Sequence, residues 1–218
     1  MVVYWRQDSR RGRQAQTGRG YTMQQQMLWG ERVAGAPYPF RVADLAALPD
    51  DTYTYEIVEG ELVRMPGSGI EASRIAGLLV HFLWSFVLPR NLGLVTTTDG
   101  TYDLTRPGDP ADTVLVPDAA FVTAGRLVGR VTGYANLAPD LVAEVVSPSQ
   151  YHPEMDRKAK LYIERGVRLA WIIWPSSQQV DVWRPTSPTA PVTTLGIADS
   201  LDGLDVLPGF SLPLRDLL

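Results

Sequence analysis

The chain has 218 residues, enough for one medium domain with a real core or at most two small ones. Hydrophobic residues make up 45% and charged residues 20%, an ordinary globular composition, and the absence of cysteine excludes disulfides, thiolate metal sites and a cysteine nucleophile. The net charge of −4 is uneven: residues 1–22 hold five arginines against Asp8, and the rest is acidic, which argues against broad nucleic-acid binding through a basic footprint.

Residues 1–36 show no sustained apolar period and are rich in Gln, Arg and Gly, so they are expected to form a disordered basic leader, with 37–218 as the folded domain. Met23 and Met27 are alternative start positions, and a basic arm touching nucleic acid is the competing reading of the leader. No apolar h-region of a signal peptide is present. No unbroken apolar window reaches the ~18 residues of a membrane span. The expectation is a cytoplasmic protein with no membrane partner.

Val42–Leu48 reads as a short helix stopped by Pro49. Tyr53–Val58 and Glu61–Met65 are β-type runs around Glu59-Gly60, the pattern of a hairpin. From Glu71 the apolar residues Ile75, Leu78, Leu79, Phe82, Leu83, Phe86 and Val87 recur at the spacing of a buried helix face, ended by Pro89 and Gly93. His81 in that helix is expected to be packed. With His152 as the only other histidine, a histidine zinc site would need carboxylates to complete it.

Short strands follow at 94–98, 100–104 and 114–122, the last interrupted by Pro117-Asp118. The run Asp140–Val146 is apolar except for Glu144 and reads as a central strand. Glu154–Gly166 is a helix with glycine just past its end. Leu169–Trp174 and Val180–Arg184 are further strands, and the tail is expected to be irregular. The order predicts an α/β (α+β) fold with a mixed sheet flanked by helices.

Two carboxylates stand out. An ionised glutamate inside an apolar strand is costly, so Glu144 needs a cation or a cleft. Asp118 opens a neighbouring strand after a proline. If the two share one face they raise each other's pKa unless a cation lies between them, and the carboxylates are expected within ~4–6 Å of one another, close enough to share one ion. A hard, oxygen-seeking ion such as Mg²⁺ suits that pair. A structural Glu144–arginine pair with Asp118 as a turn former is the alternative.

Only two lysines occur, Lys158 and Lys160, in the helix after Glu144. With Met155, Ala159, Tyr162 and Ile163 as its core face, Asp156 and Lys160 lie on one flank and Lys158 on the other. The wheel alone does not choose between the lysines. Other chemistries fit poorly: there is no nucleophile elbow, no phosphate-binding loop and no GxGxxG.

The series YEIVEGELVRM, PDAAFV, PDLVAEVVSPS, DRKAKLYIERGV and AWIIWP, over roughly Val42–Leu214, resembles the Uma-type restriction endonuclease family of the PD-(D/E)XK nuclease superfamily. The resemblance implies a restriction-endonuclease-like fold and an endonuclease that hydrolyses DNA phosphodiesters with Mg²⁺ (or Mn²⁺). It implies Asp118, Glu144 and the Val145 carbonyl as metal ligands. It makes Lys160, matched through Asp156-x-x-x-Lys160, the catalytic lysine pointing into the site, with Lys158 left in solvent. Glu61 of the hairpin matches a further carboxylate position. Val146 stands where the superfamily has a lysine, and Ala72 where the family often has a histidine. A catalytically weak nuclease-fold module binding nucleic acid or protein is the second reading, and hydrolysis of another phosphate ester the third. A homodimer would fit the superfamily, with Trp171, Trp174 and Trp183 either at its interface or in the core.

Overall fold

The computed structural model describes residues 29–49, 51, 53–65, 67–127, 129, 133–148 and 150–218. The expected leader lies outside these residues as far as residue 28. Residues 29–36, assigned to it by composition, belong to the fold: Trp29 is buried, and β1 (Glu31–Arg32) pairs antiparallel with β3 (Glu61–Met65). The composition of the first 28 residues hid this short strand.

β2 (Thr54–Val58) and β3 form the expected hairpin, with Val58 opposite Glu61. Its turn residues Glu59 and Gly60 both take positive φ, 52° and 83°, the backbone of a two-residue hairpin that follows the twist of its strands. With β5 (Tyr102–Asp103) and β6 (Val114–Leu115) they complete a five-stranded sheet in the order β1-β3-β2-β6-β5. A six-stranded sheet contains β4 (Gly93–Thr96), β7 (Ala119–Thr123), β8 (Leu141–Val145), β9 (Leu169–Trp174), β10 (Gln179–Trp183) and β11 (Thr193–Gly196). Its order is β11-β10-β9-β8-β7-β4, and only β8–β9 is parallel. β12 (Ser200–Asp202) and β13 (Ser211–Pro213) form a separate hairpin. The mixed α+β class is as expected, but the strands divide among separate sheets, and the tail expected to be irregular holds three strands.

The apparent single strand at 114–122 is two strands in different sheets. Pro117 has no N–H to give to a ladder, so pairing stops there and the chain crosses from one sheet to the other.

Strand alternation sorts the core. Ala119, Phe121, Leu141, Ala143, Val145, Trp171 and Ile173 face α1 (Ile70–Val87). Ala120, Val122, Val142, Val146, Ala170 and Ile172 face α2 (His152–Glu164) and the five-stranded sheet. Trp171, Trp174 and Trp183 are all buried, which is the core alternative of the sequence reading. α2 ends as expected, with Gly166 at φ 103°, a backbone that side-chain-bearing residues rarely take.

By length and mean hydropathy the stretch Ile70–Arg90 is sufficient for a membrane span, which unbroken apolar runs did not suggest. Its inner residues Ile75, Leu79, Leu83 and Val87 pack in the core. His81, expected to be packed, is exposed on the outer side and lies edge-on to Phe82.

Candidate active site

By strand parity Asp118 points to the same side as Ala120 and Val122, and Glu144 to the same side as Val142 and Val146. The β7–β8 register pairs Ala119 with Ala143, so one step further sets Asp118 opposite Glu144. Directly opposed residues have Cβ atoms about 4.5–5.5 Å apart. The ladder gives way here to a side chain: Val145 N–H donates to Asp118 Oδ2 at 2.7 Å. Burial pushes the Asp118 carboxyl up, against the opposing pull of that N–H and of Lys158.

Glu144 is 6% exposed. Its Oε1 accepts from the Tyr162 hydroxyl at 2.6 Å and meets Lys158 Nζ at 2.8 Å. Burial, reinforced by Asp118 and Glu56, pushes its carboxyl above the ordinary carboxylate range, and the Lys158 ammonium opposes the rise. Burial likewise raises the Tyr162 phenol well above its ordinary value, so it stays a donor.

The lysine of this site is Lys158, not Lys160. Lys158 is 2% exposed, with Nζ 3.1 Å from Glu56 Oε1 as well as 2.8 Å from Glu144. Burial lowers its affinity for a proton, but Glu144 and Glu56 more than reverse that and hold the ammonium above its ordinary value. Lys160 is half-buried on the other flank, where its charge acts on Asp156. The expectation that Lys160 points at the carboxylates and Lys158 at solvent is therefore overturned. The reason is the roll of α2: its buried residues Met155, Lys158, Leu161 and Tyr162 extend the core face toward Lys158 and away from Asp156 and Lys160. Leu161, an apolar residue on the Lys158 flank, was the available signal.

The hairpin carboxylate is also different from the one expected. Glu61 is half-buried at the turn, 3.7 Å from Arg32 Nη1, and is not among the residues lining the cavity. Glu56, mid-strand in β2 and 1% exposed, takes the place near the site. Its Oε1 accepts from Val116 N–H at 2.9 Å, and its Oε2 accepts a short bond from the Trp29 indole. A carboxylate inside TYEIV poses the same cost as one inside LVAEVV, so the argument that singled out Glu144 applies equally to Glu56.

These groups form one wall of a cavity of about 710 Å³. Trp29, Glu56, Asp118, Glu144, Val145 and Lys158 line it, with Arg64, Tyr53 and Ser73 elsewhere on its surface. Ala72 packs into the core beside α1's other buried residues rather than into the cavity, and Val146 is buried on the α2 side.

The donor set suits a hard cation. Asp118 commits Oδ2 to Val145, and Glu144 commits Oε1 to Lys158 and Tyr162. Among the described residues the second oxygen of each has no hydrogen-bond donor. No group of three or more His, Asp or Glu side chains among the described residues is arranged to hold an ion alone. An ion here would complete its shell with backbone carbonyl, water and substrate oxygens, as Mg²⁺ does.

A search of curated proteins finds no match. Among solved structures, one described as a putative nuclease belonging to DUF820, from Anabaena variabilis ATCC 29413, matches with a TM-score of 0.68. It is 23% identical over 82% of this chain and 97% of that one, a likeness that shows the fold. The model of the Uma2 family, described as putative restriction endonuclease, matches residues 42–215, most of the chain including every strand from β2 to β13. The chain belongs to the Uma2 family.

Proposed function

We propose that the protein is a Mg²⁺-dependent (or Mn²⁺-dependent) endonuclease that hydrolyses DNA phosphodiester bonds at this cavity wall. The observation that carries the reading is the convergence of Glu56, Asp118, Glu144 and Lys158, from two sheets and a helix, on one open cavity.

Asp118 and Glu144, with the Val145 carbonyl, would hold the ion. Bound there, it would lower the pKa of a water and offset charge on the scissile phosphate. Tyr162 and Lys158 fix the Glu144 carboxylate by charge-assisted bonds. Lys158 supplies the one positive charge within this group of three carboxylates, placed to stabilise a developing negative charge. Glu56 holds that ammonium from the opposite side.

A second reading, a nuclease-fold module that binds without cutting, is favoured by the acidic character of the cavity, where Glu31, Asp99 and Glu154 also line the wall. Incubation of the protein with supercoiled plasmid separates the two. Nicking with Mg²⁺, lost in EDTA and in Asp118→Asn, supports the endonuclease. Retained binding with no nicking in either metal supports the module.

A further inference from the structure

The family match begins at residue 42, yet Trp29, Gly30 and Glu31, upstream of it, also line the cavity. Trp29 is 3% exposed and makes three contacts with the site. Its indole N–H donates to Glu56 Oε2. Lys158 Nζ lies 5.3 Å from the ring centroid, within the range of a cation–π contact. Its backbone carbonyl accepts from the Gln150 amide at 3.2 Å, and Gln150 in turn accepts from Ser147 N–H at 2.9 Å, just beyond β8.

The following residue shows how closely this segment is pressed down. A Cβ at Gly30 would lie 2.4 Å from Met65 Sδ, 2.7 Å from Val63 Cγ1 and 2.8 Å from the Arg64 carbonyl. Only glycine lets the chain approach β3 this tightly, and β1 then locks it in register.

We propose that Trp29 is a positioning residue supplied from outside the family-matched region, holding Glu56, and through it the Lys158 ammonium, in the geometry the site uses. The inference rests on the nuclease reading of that site. The indole satisfies one carboxylate oxygen of Glu56, which leaves the other for Lys158 and the Val116 N–H. Without the indole donor, Glu56 Oε2 loses its partner, the carboxylate is held by Val116 N–H and Lys158 alone, and the ammonium shifts toward Glu144.

The test is a double-mutant cycle of Trp29→Phe and Glu56→Gln on the full chain, read both by plasmid nicking and by thermal melting. Phenylalanine keeps the ring against Lys158 and removes the donor. Trp29→Phe is expected to lower kcat about tenfold to a hundredfold at unchanged KM. The double variant should be no slower than Glu56→Gln, and the melting shifts should be non-additive in the same sense. An unchanged kcat in Trp29→Phe, or additive effects of the two substitutions, overturns the proposal. If the wild type does not cut, the nuclease reading fails separately. The melting cycle then decides alone whether Trp29 holds Glu56: coupling supports the contact, and additivity overturns it. Gly30→Val, which displaces the segment from β3, should reproduce the Trp29→Phe loss of kcat, and full activity in it would count against the mechanism.

Discussion

Lys158 lies between two carboxylates from different layers, 3.1 Å from Glu56 in the five-stranded sheet and 2.8 Å from Glu144 in the six-stranded one. A single ammonium therefore ties the two sheets together at the cavity. Removing one partner of a buried ion pair is more damaging than removing both, because the remaining charges are left uncompensated.

Lys158→Ala should accordingly lose both cleavage and stability. A loss of about 3–5 kcal/mol is expected in urea unfolding near neutral pH. Lys160→Ala, half-buried on the flank away from the carboxylates, should stay within about 0.5 kcal/mol of wild type and cut normally. Reversed results in the two variants would show that α2 is rolled differently from the arrangement described.

Mg²⁺ should raise the melting temperature of the wild type but not of Asp118→Asn. A ligand bound only by the folded state stabilises it by mass action, by about 2.7 kcal/mol at a hundredfold excess over Kd. Differential scanning calorimetry at rising Mg²⁺, with Ca²⁺ as a non-cutting comparison, measures this without relying on cleavage. An equal rise in Asp118→Asn would place the ion elsewhere.

A chain beginning at Met23 should melt within a few degrees of the full chain, since Trp29 and β1 are retained. A chain beginning at Val33 loses the Trp29 side chain from the core, and the cost of removing a buried tryptophan is about 3–5 kcal/mol. Thermal melts of the two truncations decide whether the fold starts at Trp29 or later.

Asp140 provides a test by pH. Burial would raise its carboxyl, but the Thr123 N–H at 2.9 Å and the Arg126 guanidinium at 2.9 Å outweigh that and hold it below its ordinary value. A carboxylate depressed in the folded state adds stability above its unfolded pKa, near 3.8, and loses it as pH falls through the folded value. Asp140→Asn should cost about 1–3 kcal/mol near neutral pH. The gap to wild type should close in acid, below pH ~3. A gap that stays constant with pH would mean the loss is one of shape rather than charge.

Much of this architecture was legible in the chain. The hairpin turn, α1, α2 with its terminal glycine, and the β8 and β9 runs all follow from local period and punctuation. What sequence could not supply was the partition of strands between sheets. β6 and β7 read as one run, because Pro117 signals a break in the ladder but not where the chain goes afterward. Asp118 and Glu144 were found because a charge in an apolar strand is conspicuous. Glu56 meets the same criterion, but the motif match falls on Glu61 at the hairpin turn. A helical wheel leaves Lys158 and Lys160 undecided, because it gives angles about the axis and not the roll of the helix on its sheet, which tertiary packing sets; the motif match through Asp156 then points to the wrong one of the two. Trp29 lay in a stretch whose arginine and glutamine content masks one buried ring.

The crossing at Pro117 limits how far apart the anchors of Glu56 and Asp118 can lie. Val116 N–H holds Glu56, and two residues later Asp118 reaches Val145, so both acids are anchored to the same short piece of backbone. Two residues of extended chain span at most about 7 Å. The distance between these anchor points is thus limited by bond lengths and angles rather than by how well either layer is packed. Substitutions deep in either sheet should lower the melting point more than they change the spacing of these two anchors.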